Sequence, residues 1–96
     1  MTGAEFKAIR TELGCTGETF ARALGYGGKV QTLRSLMYLY ETGRRDIPDT
    51  VARLVVMFGR YGIPKRMGGD TVTRLVTMFT EYGIPKDVAV WPQRHG

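Results

Sequence analysis

Residues 16–48 read TGETFARALGYGGKVQTLRSLMYLYETGRRDIP, and the punctuation of this stretch sets the expected fold. Gly25-Tyr26-Gly27-Gly28 is too rich in glycine to be helical, so it divides two apolar-periodic segments. In the first segment Thr16 is the expected N-cap, Phe20, Ala21 and Leu24 form the inner face, and Gly25 closes the helix. Cys15 can pack on Phe20 as a hydrophobic staple, and is read as a small core residue rather than a nucleophile. The second segment spans about Val30 to Glu41. At about 100° per residue, Val30, Leu33, Leu36, Met37 and Tyr40 cluster on one side. The opposite side shows Gln31, Ser35 and Tyr38, flanked by Thr32, Arg34 and Leu39. Gly43 stops this helix, and Arg44-Arg45 fall in the loop before Pro48.

Upstream, Thr2 and Glu5 have the spacing of a capping box, and Phe6, Ile9 and Leu13 share one helical face that ends at Gly14. Downstream the chain repeats itself. Residues 49–65 (DTVARLVVMFGRYGIPK) and 70–86 (DTVTRLVTMFTEYGIPK) agree at 13 of 17 positions. Each copy is expected to form a helix with an Asp N-cap (Asp49, Asp70) and a Gly-Ile-Pro stop, the isoleucine (Ile63, Ile84) folding back on the preceding turn. Val51, Leu54, Val55 and Phe58 form the apolar face of the first, and Val72, Leu75, Val76 and Phe79 that of the second. Three differences lie on one side: Ala52, Val56 and Gly59 become Thr73, Thr77 and Thr80. Small apolar residues suit a helix packed on two faces, whereas a threonine stripe tolerates water. The first copy therefore belongs to the core and the second to the periphery or to a partner. In the tail, residues 87–96, Val88, Val90 and Trp91 could dock as a short extended arm, the final residues fraying.

Composition narrows the function classes. The 96 residues allow one small domain, and 43% hydrophobic content supports a modest core. No stretch approaches the roughly 20 apolar residues of a membrane span, and no secretory leader is evident, so a cytoplasmic protein without a membrane partner is expected. A single cysteine, and a single histidine next to the C-terminus (His95), leave no zinc site and no fixed imidazole for catalysis. Neither an enzyme, nor a metal, nor a cofactor, nor a small-molecule ligand is expected. The net charge of +5 is uneven: residues 1–45 carry seven Lys/Arg against four Asp/Glu, and residues 70–96 carry three of each. A localised basic excess is the footprint of a polyanion binder.

Two short helices, a tight turn and a polar-faced helix followed by basic residues describe a helix-turn-helix reader. Gln31 could bond adenine and Arg34 guanine, with Thr32, Ser35 and Tyr38 for edges, methyls or phosphates. Arg44 and Arg45, with Thr16 and Lys29 at the two helix starts, are assigned to backbone phosphates.

The phrases F-x-x-I-R-x-x-L-G from Phe6, F-A-x-x-L-G from Phe20 and Y-E-x-G-x-R-x-I-P from Tyr40 occur in order. Residues 4–64 thereby resemble the Cro/CI-type (lambda-repressor-like, XRE) helix-turn-helix family. Gly17 stands where many members have glutamine. The resemblance implies an all-α, five-helix domain that binds a pseudo-palindromic operator as a homodimer and represses transcription. The expected organisation is a DNA-binding domain at 1–65, a linker at 66–69, the duplicated helix at 70–86 and the tail at 87–96. Four helices would already fill one core, so Val72, Leu75, Val76 and Phe79 are expected to serve dimerisation, capping of the core in cis being the alternative. On that expectation, truncation after Met67 leaves a folded monomer. An antitoxin-like or other protein-interaction module, using the C-terminal helices to grip a partner, is the competing class.

Overall fold

Thr2 opens the first helix of the computed structural model, which describes residues 1–89, in a reciprocal cap. Its amide donates to the Glu5 carboxylate at 2.8 Å and its hydroxyl accepts the Glu5 amide at 3.1 Å. Helix α1 runs Gly3–Glu12, and α2, Gly17–Ala23, starts from Thr16, whose hydroxyl accepts the Thr19 amide. After the glycine turn come α3 (Val30–Glu41), α4 (Asp49–Tyr61), α5 (Thr71–Tyr82) and the short α6 (Lys86–Ala89). All regular structure among the described residues is helical. None of these helices is long and apolar enough to cross a membrane.

Phe6 joins the first three helices. Its ring meets Phe20 at 5.3 Å and Tyr40 at 5.8 Å, both edge-on, so one aromatic cluster ties α1, α2 and α3 together. Helix α4 crosses beneath, burying Val51, Leu54, Val55, Met57 and Phe58. Its Gly59 admits Ile9 of α1: a Cβ there would stand 3.2 Å from the Ile9 side chain. On the same side of α4 Ala52 is buried, Val56 half-buried and Gly59 exposed, so that side is packed only in part. Thr73, Thr77 and Thr80 of α5 are exposed, the two latter hydroxyls turned onto their own helix carbonyls.

Four details differ from the sequence-based expectations. Asp49 is not a cap: Pro48, with its φ restrained near the value its ring prefers, holds the N-cap position and Asp49 begins the helix. Asp70 does cap, accepting the Thr73 amide at 2.9 Å. Ile63 packs on the core as expected, but Ile84 is 57% exposed. The start of the tail is not extended: Val88 lies in α6 and is fully buried, while Val90, Trp91 and His95 lie outside the described residues.

The fourth difference concerns α5. Its four-residue apolar face is split, because Leu75 is buried within the same chain whereas Val72 and Val76 are 57% and 56% exposed and Phe79 is half-buried. The packed side instead runs through Leu75 and Met78 to Tyr82, which stacks on Tyr61 of α4 with ring centroids 4.4 Å apart. Leu75 and Met78 belong to the single core, so helices α1–α4 do not close it alone. The radius of gyration, 12.7 Å, is close to the roughly 12.5 Å expected of a compact chain this long. Truncation after Met67 would strip a face of the core.

Candidate nucleic-acid interface

Helix α3 presents two chemically distinct faces. Leu33, Met37 and Tyr40 are buried and Leu36 half-buried, while Gln31, Thr32, Arg34, Ser35 and Tyr38 are all exposed. Val30, assigned to the inner face, sits at its edge and is 36% exposed. The five residues expected to read bases therefore do share one solvent-facing surface.

The basic loop joins that surface. The Arg44 guanidinium lies 5.9 Å from the centroid of the Tyr38 ring, a cation–π distance that ties the loop to the last turns of α3. Arg45 lines an open groove of about 450 Å³ with Gln31, Thr32, Ser35, Leu36 and Leu39. Leu36 and Leu39 give the groove apolar surface and Gln31, Thr32, Ser35 and Arg45 give it polar groups, so it offers both methyl contact and hydrogen bonding. Lys29 is exposed at the N-cap of α3, which lacks a side-chain cap. The first amides of that helix thus point outward without a side-chain acceptor. Thr16 is exposed at the start of α2, but its hydroxyl serves the Thr19 amide and meets the Thr19 hydroxyl at 3.0 Å. Gly17 next to it lies against α3: a Cβ there would be 3.9 Å from Cα of Arg34 and 3.7 Å from Cβ of Met37. The start of α2 and the middle of α3 are therefore neighbours.

Three contacts that hold this surface escaped sequence reasoning. Arg10 of α1 forks onto Glu41 of α3, Nε to Oε2 at 2.7 Å and Nη2 to Oε1 at 3.0 Å, and its Nη1 donates to the Cys15 carbonyl at 2.9 Å. The Glu41 bond, partly offset by burial, raises the Arg10 pKa further above its ordinary value. Arg22 is one of the seven basic residues of 1–45. It pairs with Glu18 at 3.1 Å and donates to the Gly28 carbonyl at 3.1 Å, bracing the glycine turn from α2. Tyr26 in that turn meets the Tyr40 hydroxyl at 2.9 Å, and burial followed by this bond pushes its pKa well up. The i,i+4 spacing of Glu18 and Arg22 was a usable signal. Arg10 and Glu41 are 31 residues apart, and no spacing rule links them.

Among the described residues no group of three His, Cys, Asp or Glu side chains comes together as metal ligands would. The chain matches no family model, no curated protein and no solved structure.

Proposed function

We propose that the protein is a sequence-specific regulator that binds double-stranded DNA through α3, in the manner of the Cro/CI-type helix-turn-helix family it resembles. One observation carries the reading: an exposed polar row, Gln31, Arg34, Ser35 and Tyr38, runs along α3 with Arg44 and Arg45 at its end. A helix of this kind fits the major groove, where an Arg–guanine or Gln–adenine pair discriminates by about 1–3 kcal/mol. The adjoining arginines address phosphates and fix the register. Repression by occupation of the operator is the mode of action that the resemblance implies.

Homodimerisation belongs to the same proposal. Two copies would set two α3 helices about 34 Å apart on a pseudo-palindromic site. Val72 and Val76, with the exposed part of Phe79, are the surface offered for it; Leu75 is committed to the core. The same exposed valines support the competing reading, an antitoxin-like module that grips a different protein.

The test begins with selection of DNA fragments by the purified full chain, followed by competition binding on variants of the selected site. Arg34→Ala or Gln31→Ala should cost about 1–3 kcal/mol and relax the preference at one base position. Unchanged affinity and preference in both would remove α3 from the interface. Recovery of an equimolar, non-identical protein in place of DNA would favour the interaction module.

A further inference from the structure

The C-terminal end of α2 can be accounted for carbonyl by carbonyl. Those of Phe20, Ala21 and Arg22 accept the amides of Leu24, Tyr26 and Gly25. The carbonyls of Ala23 and Leu24 remain, and α5 satisfies both. Thr71 Oγ1 donates to Leu24 at 2.6 Å, and Arg74 Nη1 donates to Ala23 at 3.1 Å while its Nε holds the Gly69 carbonyl at 2.8 Å. Buried carbonyls need partners, and a cation at a helix C-terminus is favoured by the helix dipole. Gly25 makes the approach possible: at φ +100° it has no side chain where a Cβ would stand 2.8 Å from the Thr71 nitrogen.

The duplicated unit makes a similar bond in its first copy. Arg53, the counterpart of Arg74, donates to the Val88 carbonyl of α6 at 2.9 Å. The arginine at this position of the repeat thus fastens a neighbouring helix in both copies.

We infer that α5 clamps the turn between α2 and α3, and that Thr71 and Arg74 are positioning residues for the reading face of α3. The clamp grips Ala23 and Leu24 at the entry to the turn, while Arg22 of α2 holds Gly28 and Tyr40 of α3 meets Tyr26. The placement of α3 relative to α2 is then set by a helix outside the 1–65 region. This assignment rests on the DNA-binding reading for its consequence, though the clamp itself does not.

The experiment uses the full chain with Thr71→Val and Arg74→Gln, and with Thr71→Ser and Arg74→Lys as conservative partners. Amide hydrogen exchange of Gly25 and Tyr26, whose amides bond back onto α2, is read against that of the core amides of α4. Affinity for the selected DNA site is read against affinity for unrelated DNA. Thr71→Val removes no charge, and should speed exchange in the turn about tenfold while the α4 core stays protected. It should lower affinity for the selected site about tenfold and for unrelated DNA less than about twofold, a tenfold change corresponding to 1.4 kcal/mol. Arg74→Gln should act in the same direction, Thr71→Ser, which keeps the hydroxyl, should stay near the parent, and Arg74→Lys, which keeps the charge but not both donors, should fall between. Unchanged exchange in the turn overturns the clamp. Equal losses on selected and unrelated DNA overturn the positioning role. If the parent chain selects no DNA sequence, the DNA reading falls, and exchange in the turn alone decides for or against the clamp.

Discussion

Met78 and Val76 stand two residues apart on α5, and they should respond to substitution in opposite ways. Met78 is fully buried in the core shared by α1–α4, whereas Val76 is 56% exposed. Removing a buried methionine side chain loses its transfer free energy and leaves a cavity, at a cost of about 2–5 kcal/mol. Small domains of this length have a total stability of roughly 5–14 kcal/mol, so Met78→Ala removes a large share. With a melting shift of about 4–8 °C per kcal/mol, even the lower end of that range, about 2 kcal/mol, lowers Tm by roughly 8–16 °C. Val76→Thr keeps the shape and faces water, so it should stay within about 0.5 kcal/mol. Thermal melts followed by circular dichroism, at two widely separated protein concentrations, make the comparison. If α5 packs within its own chain, the Met78→Ala deficit is the same at both. A deficit that grows on dilution would mean that Met78 is buried against a second subunit. Equal, small effects of both substitutions would refute the packing of α5 altogether.

Gly3→Ala should destabilise the chain by about 1–3 kcal/mol although alanine is the better helix former. Its Cβ would stand 2.6 Å from the Tyr40 carbonyl oxygen and closer still to that of Glu41, so α1 must retreat from the end of α3; an unchanged urea midpoint would refute so close an approach. Arg44→Ala and Arg45→Ala should weaken selected and unrelated DNA alike, each flattening the log K against log salt slope by about one unit or less. A variant that changed sequence preference and kept the parent slope would contradict the phosphate role. In acid, Asp70 and Asp87 matter. The Thr73 amide and the Arg60 guanidinium, respectively, hold these carboxyls below their ordinary 3.8. Their stabilisation is fully present above that value and is lost as pH falls through the lower folded values. Asp70→Asn, which still caps, should leave neutral stability nearly unchanged and reduce the loss of Tm below that pH. An acid profile identical to that of the parent would show that the cap carries no charge dependence.

Much of the fold was legible because helix ends are local. Thr2 with Glu5, Thr16 with Thr19, and Asp70 with Thr73 each lie three residues apart, and each forms the bond that its spacing implies. The candidate reading face was legible for the same reason, since inner and outer positions of α3 follow from its period alone. Local rules erred where a neighbour competed, as when Pro48 took the cap position from Asp49. They were silent on the Arg10–Glu41 fork and the Thr71–Leu24 bond, which join residues 31 and 47 positions apart.

The repeat separates the two levels. From sequence alone, residues 49–65 and 70–86 are two helices with the same apolar positions and the same stop, and both form. Which positions each would bury was decided only in three dimensions. Val51, Val55 and Phe58 are buried in the core, while Val72 and Val76, identical in type and spacing to Val51 and Val55, face water. A helical pattern specifies that an apolar stripe exists, but the depth at which it lies depends on what stands opposite. For α5 the end of α2 and the Tyr61 ring stand opposite, and they turn the helix so that Leu75 and Met78 face inward.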